Sequence, residues 1–295
     1  VMMAMVMIGG VSGVSWGQLS ITTANSPVTQ NFDALPTSGT GLAQSGGIFA
    51  NGWSFLEGGS NANATYDAGT GSNNAGNTYD FGVLGAGPLT DRTLGLLQSG
   101  SLTSILGFKF TNNTGVTVTS LSIGYTGEEW RTATATDNFA FSYQLADVAL
   151  NAASGWTTVA GLAFATPVNA AAAAVDGNNA TYRTVISPVL ITGLSIANGS
   201  TVTLRWVDGT GSSSAGFGID DFTITLLAPT NYYLKSGGVI STLADWGQNT
   251  DGTGANTLTG LNDANINWNI RNNAAVTNDV AWTLGSGSKV IVGDG

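Results

Sequence analysis

Residues 200–227 read STVTLRWVDGTGSSSAGFGIDDFTITLL, two apolar-alternating runs separated by a Gly/Ser loop. In the first run Val202, Leu204 and Trp206 fall on one face and Thr203, Arg205 and Val207 on the other, the two-residue period of a half-buried strand. In the second, Phe222, Ile224 and Leu226 share a face while Thr223 and Thr225 share the opposite one. Counting back by two puts Asp220 on the apolar face and Asp221 on the polar one. A carboxylate at a core edge is costly unless compensated, so Asp220 is expected to meet a cation or to stand at an open, wetted rim. Arg205, Arg131 and a bound Ca2+ are the cations available to it.

Composition narrows the chemistry. The chain has 295 residues, only 9% of them charged, 42 glycines and a formal net charge of -10. That balance is of the kind found in extracellular bacterial β-proteins. It opposes nucleic acid binding, because phosphates would be repelled, and it suits cation binding. Histidine and cysteine are both absent. No Ser-His-Asp or Cys-His nucleophile, no zinc site of the usual ligands and no disulfide can therefore be built. Catalysis would have to use carboxylates, and glutamate occurs only at Glu57, Glu128 and Glu129.

The chain opens with VMMAMVMIGGVSGVSWG, residues 1–17, which reads as the hydrophobic part of a secretory signal with its start missing, cut after Gly17. Strand-like runs follow at 19–35, 47–57 (with Trp53 and Phe55 in phase), 78–83, 92–98, 102–112 and 116–125, with a long Gly/Asn/Ser surface loop expected over 58–77. The turn Asn112-Asn113-Thr114-Gly115 between the last two runs predicts an antiparallel hairpin. Further strands are expected at 137–146, 156–159, 181–189 and 190–196, and one Ala-rich helix at 169–175. A dozen short strands without βα alternation predict an all-β fold, an antiparallel jelly-roll-like β-sandwich over residues 18–228. Beyond Pro229 the runs NWNIRN, DVAWTLG and KVIVGDG recur about every ten residues, the start of a β-solenoid or second β-domain over 229–295 that continues past the given chain.

The stretches NFDALP (31–36), GYTGEEWR (124–131), VDGN (175–178) and LRWVDGTGSSSAGFGIDDFTI (204–224) together resemble a jelly-roll-like module of large secreted bacterial surface proteins, sometimes found beside extracellular nucleases or adhesive repeats. The closing GIDDFTI is similar to the last strand of calcium-bearing carbohydrate-binding and cleaved-adhesin sandwiches. The resemblance covers about residues 30–227. It implies that an acidic residue of the first strand and one of the last share a structural calcium, which by motif position falls on Asp33 and on Asp220 or Asp221. Asp33 stands where such modules often carry Glu. The tail from Asn231 resembles the start of β-solenoid regions in surface proteins exported across an outer membrane.

Each candidate site has a plainer reading. Ca2+ takes six to eight oxygens from carboxylates, carbonyls and water, which Asp33, Asp220 and Asp221 would help supply; otherwise Asp221 is solvated and Asp220 accepts a turn hydrogen bond or pairs with Arg205. Glu128, Glu129, Trp130 and Arg131, with Arg205 and Asp208, form either a ligand platform with an aromatic face for a sugar ring or a structural cluster at the sandwich rim. A carboxylate-pair glycosidase would join Glu128 or Glu129 to Asp220 or Asp208, but nothing in the spacing fixes the separation such chemistry needs. The Asp/Gly runs at 67–72, 208–212 and 251–255 lack the regular period of calcium-binding repeats and read as turns. The expectation is a non-catalytic module, secreted or on the outer cell surface, for adhesion or glycan contact, with calcium as a structural cofactor. Its partner would be a glycan or cell-surface ligand, with no nucleic acid and no membrane span in the mature chain. The competing class is a structural spacer of a large surface protein.

Overall fold

The computed structural model describes residues 17–83, 91–209, 215–271 and 279–293. All but the last residue of the expected signal segment, and the middle of the Gly/Ser loop at 210–214, lie outside the described residues. In chain order the elements are β1 (Leu19–Ile21), β2 (Pro27–Gln30), β3 (Leu42–Ala43), the single turn α1 (Gly47–Ala50), β4 (Trp53–Gly58), β5 (Thr65–Gly69), β6 (Asn77–Phe81), β7 (Thr93–Leu97), β8 (Thr103–Asn112) and β9 (Ser120–Arg131). They continue with β10 (Asn138–Gln144), β11 (Thr157–Thr158), β12 (Phe164–Ala165), β13 (Arg183–Ile191), β14 (Thr201–Asp208) and β15 (Gly216–Leu227). The last four are β16 (Thr230–Leu234), β17 (Trp246–Gly247), β18 (Ile266–Arg271) and β19 (Lys289–Gly293).

Two mostly antiparallel sheets make the sandwich. One runs β1-β8-β14-β10-β11, with β4 also on β8 and β12 on β10; the other runs β13-β9-β15-β7-β6-β5-β3, with β2 also on β15. The alternation read from the sequence produces the core directly: Val202, Leu204 and Trp206 of β14 and Phe222, Ile224 and Leu226 of β15 are all buried in one cluster between the sheets. Trp206 sits at its centre, stacked on Trp53 at 5.7 Å and met edge-on by Phe141 at 5.1 Å and Tyr125 at 5.9 Å. Burial of large apolar side chains of this kind contributes roughly 1.5–3 kcal/mol each.

After β15 only Ala228 and Pro229 precede β16. The third sheet, β17-β16-β18-β19, joins β16, β18 and β19 in parallel and has its own core of Tyr232, Leu234, Ile240, Trp246, Ile266 and Trp268. Parallel register puts Asn231 beside Asn267, and their side chains hydrogen-bond at 2.9 Å.

Several local expectations need correction. The 112–115 turn does not close a hairpin, since β8 belongs to the first sheet and β9 to the second: the chain crosses the sandwich there. Residues 47–50 form a helical turn, and the supposed surface loop at 58–77 holds β5, whose Tyr66 is buried. The Ala-rich run at 169–175 is not a helix; it lies along the end of β9, bridged through Arg131–Ala174 and Ala133–Asn169. Its alanines have helix propensity but no apolar face to bury, so pairing with the strand end prevails. In place of two runs over 181–196 there is one strand, β13, bulged between Ile186 and Val189 around Pro188, which cannot donate to the ladder, and Ile196 makes only an isolated bridge to Val118. Residues 279–285 form no strand.

Candidate functional site

The acidic end of β15 is organised by a change of neighbours. Along one edge, Gly216 to Ile219 pair with β7, while Phe222 to Thr225 pair with β2. Along the other edge β9 continues throughout, but its register shifts between Asp220 and Thr223, and Asp221 takes the left-handed φ of 48°. This β-bulge resets the phase of the strand. Phe217 and Ile219 face the core, and so do Phe222, Ile224 and Leu226, although Ile219 and Phe222 are an odd number of residues apart. Counting back by two across the bulge therefore fails. Asp220 stands on the face opposite Ile219, and there it is nevertheless 96% buried, at 4% exposure.

Asp220 has no arginine partner. Arg205 lies in the other sheet, its Nε on Ser142 Oγ at 3.1 Å, its Nη1 on the Leu150 carbonyl at 2.7 Å and its guanidinium over the Trp156 ring at 3.8 Å. Arg131 donates to the Gly71 carbonyl at 3.0 Å. The groups around Asp220 are acids. Asp91, just before β7, hydrogen-bonds it side chain to side chain, and Glu128, two residues along β9 from its cross-strand partner Thr126, adds a like charge. Burial, followed by the charge of Glu128, pushes Asp220 up to about 9. Burial likewise raises Asp91, with the Asp33 charge adding to it. Asp220 Oδ1 has no hydrogen-bond partner. Arg183, opposite Glu128 in the β13–β9 register, favours the charged forms of Glu128 and Asp91 through space, but the ion pairs among the described residues do not include it.

Asp33 and Asp221 do not close on Asp220 as a cage. Both are exposed, and Asp33 accepts a 2.6 Å hydrogen bond from Asn31. Among the described residues no group of three or more His, Cys, Asp or Glu is arranged to hold a metal ion. Asp91 ties the acids together: it bonds Asp220 and feels the charges of Asp33 and Asp221, while Asp221 and Glu128 act on Asp220. Asp220 Oδ1 is thus a buried acceptor left without a partner among the described residues.

Of the expected ligand platform, Glu128, Glu129, Trp130 and Asp208 are buried and Arg131 and Arg205 are half-buried. Glu128, Glu129 and Trp130 are 1%, 0% and 1% exposed, and Trp130 reaches only the inner end of an open pocket shared with Thr70, Val83 and Ala174 to Asp176. The indole donates to Thr93 Oγ1 at 3.0 Å and Glu128 Oε2 at 3.1 Å, Thr93 also donates to Glu128, and Phe81 stacks on Trp130 at 6.2 Å. Gly177 is pressed on the ring: a Cβ there would come within 2.5 Å of it. Neither Arg131 nor Arg205 pairs with an acid of this cluster, which is held instead by the indole and the Thr93 hydroxyl. Glu129 lies on the other face of β9, opposite Phe217, and accepts the Val168 N–H at 3.0 Å. Burial pushes Glu128 and Glu129 each up to about 7. Asp208, buried at the end of β14 opposite Phe139, is in the other sheet from both glutamates. A glycosidase pair made from these groups is not assembled at an open cleft.

The sequence reading missed Asp91, Thr93 and the buried pair Asp80–Arg92. The signal for the pair was available: Arg92 begins a run of apolar residues, where a lone cation needs an acidic partner. Nothing local pointed to Asp91.

No family model matches the chain, and no curated protein matches it. Among solved structures the chain is similar to the enzymatically active domain of tailspike protein 4 of bacteriophage CBA120, at 10% identity over 64% of this chain with a TM-score of 0.33; the match spans only 21% of that tailspike chain. It is also similar to the CBM22-1 xylan-binding domain of Xyn10C from Paenibacillus barcinonensis, at 13% identity over 70% of this chain and 98% of that one, TM-score 0.30. A third likeness is to the K3 cleaved adhesin domain of Lys-gingipain from Porphyromonas gingivalis, at 14% identity over 59% and 90%, TM-score 0.31.

Proposed function

We propose that this chain is a non-catalytic surface module for adhesion or glycan contact whose sandwich is tightened by calcium. The observation that carries the reading is the Asp220 carboxyl, buried with an unpartnered Oδ1 against Asp91 and Glu128 and without a cationic side chain bonded to it. Asp220 and Asp91 would hold the ion, and the ion would supply the positive charge that lets both ionise. The scarcity of charge, with hydroxyl and amide side chains in its place, supports contact with neutral, hydroxyl-rich ligands. The burial of Glu128 and Glu129 supports a non-catalytic role. Among the described residues no helix is long and apolar enough to cross a membrane.

The test has two arms. Calcium added after chelation raises Tm, and Asp220→Asn abolishes the rise. Saturable binding to neutral polysaccharides or to cell surfaces supports the module reading, and its absence leaves the spacer. The spacer reading has its own support in the two-residue connection to β16 and the 2.9 Å hydrogen bond from Ser120 Oγ to Asn265 Oδ1, which tie the sandwich to the next sheet.

A further inference from the structure

Asn-x-Ser/Thr triplets stand at Asn63, Asn112, Asn179 and Asn198. Such a triplet is the acceptor signal for asparagine-linked glycosylation, and it serves only where the asparagine amide nitrogen is open to reaction in a surface turn. The fold sorts the four by what surrounds each amide.

Asn112 and Asn63 make the same turn with opposite outcomes. In both, Oδ1 accepts the backbone N–H and the hydroxyl of the threonine two residues on, at 3.1 and 2.7 Å from Thr114 and at 2.7 and 2.6 Å from Thr65. Asn112 is 0% exposed, and its Nδ2 donates to the Val116 carbonyl at 2.9 Å and the Ile196 carbonyl at 2.8 Å. A sugar on that nitrogen would break these bonds and enter the packed interior. Asn63, in the turn before β5, is exposed, and its Nδ2 donates to no group among the described residues. Its backbone N–H is held by Glu57 Oε2 at 3.0 Å, so the turn is fixed while the amide nitrogen stays open.

Asn179 is a second case of this kind: it is exposed, its Oδ1 accepts the Thr181 N–H at 2.9 Å, and its Nδ2 likewise donates to no described group. At Asn198 the triplet does not close on itself. Its Oδ1 accepts the Gly115 N–H at 2.7 Å, and the Ser200 N–H goes to the Ala197 carbonyl at 3.0 Å.

Placement agrees with the sorting. Asn63 follows β4, whose Gly58 pairs with Thr103 at the start of β8, and Asn179 precedes β13, whose Arg183 pairs with Glu128 near the end of β9. The third sheet meets the other end of the sandwich, through Ser120 at the start of β9. A glycan on Asn63 or Asn179 therefore stands clear of it.

We propose that Asn63 and Asn179 are acceptor sites for asparagine-linked glycosylation. In the active site of a glycosyltransferase, Nδ2 attacks the anomeric carbon of a sugar activated as a diphosphate ester. The C–N bond forms as the C–O bond to the diphosphate breaks; the diphosphate leaves with that electron pair, and one Nδ2 proton passes to a base of the transferase. The hydrogen bonds received at Oδ1 favour loss of that proton, because the charge it leaves spreads onto the oxygen. The modification is independent of the calcium junction and of any glycan the chain binds.

The full folded chain is incubated with UDP-glucose and a soluble asparagine glycosyltransferase that reads Asn-x-Ser/Thr, and the sites are mapped by peptide mass spectrometry. One hexose is expected at each of Asn63 and Asn179 and none at Asn112, with Asn198 several-fold slower than either. Thr65→Ala and Thr181→Ala each remove the hexose from their own site and leave the other modified. Absence of hexose from Asn63 or Asn179, hexose at Asn112 of the folded chain, Asn198 reacting as fast as Asn63, or hexose retained at the site whose threonine is replaced would each overturn the proposal.

Discussion

Ile219 and Phe222 both face the core of the sandwich although they stand three positions apart on one strand, out of phase with its two-residue period. The left-handed Asp221 between them, at φ 48°, absorbs the extra residue and turns Asp220 away from the core. The acidic junction is thus a product of the bulge, and each element of it makes a measurable difference.

Asp221→Gly stays within about 0.5 kcal/mol of the parent, because glycine accepts a positive φ but costs more to order. Asp221→Val loses about 1–3 kcal/mol, since a β-branched residue is strained there. Urea denaturation of the pair reads the difference, and equal stabilities would contradict the bulge.

Asp220 gives the junction a pH dependence whose sign can be worked out. Burial raises its pKa from 3.8 to about 9, so between those values the folded chain holds a proton that the unfolded chain has lost. In the absence of metal, stability therefore falls as pH rises through that window. Asp220→Asn flattens the fall in thermal melts taken across pH with a chelator present. With calcium the trend reverses, because the ion binds the ionised form. Identical pH profiles for parent and variant would refute the assignment.

The Arg92 guanidinium is paired with Asp80 where both are buried, at 1% and 0% exposure. Arg92→Met alone strands a buried carboxyl and costs about 3–5 kcal/mol. Combining it with Asp80→Leu recovers most of that loss. A double-mutant cycle in guanidinium chloride measures the coupling.

Trp130→Phe keeps an aromatic ring against Phe81 but removes the indole donor from Glu128 and Thr93. It lowers stability by about 1–3 kcal/mol, the cost of stranding buried acceptors, and leaves any glycan or cell-surface binding unchanged. Loss of such binding in a variant that stays folded would return Trp130 to the surface.

Period-two alternation carried most of the fold. Val202, Leu204 and Trp206, or Phe139, Phe141 and Tyr143, declare their faces within one strand, because each apolar side chain has only the core in which to leave water. What failed was non-local or backbone-specific. Sheet partners of β8 and β9 depend on contacts far along the chain, and a turn of Asn and Gly cannot distinguish a hairpin from a crossing. The bulge at Asp221 was invisible because aspartate tolerates a left-handed φ without requiring it. Trp130 looked exposable among charged neighbours, yet Glu128 is the acceptor that lets its N–H be buried. Of the candidate site, Asp220 was legible as an anomaly; Asp91, which gives it company, was not.

The short connection from β15 to β16 also fixes how the molecule bears load. β15 pairs with β9 along nearly its whole length and with β7 and then β2 on its other side. Tension arriving from the C-terminal sheet along this strand would shear those ladders together rather than unzip them rung by rung, so the anchorage lies in the middle of the second sheet, the place least ready to yield.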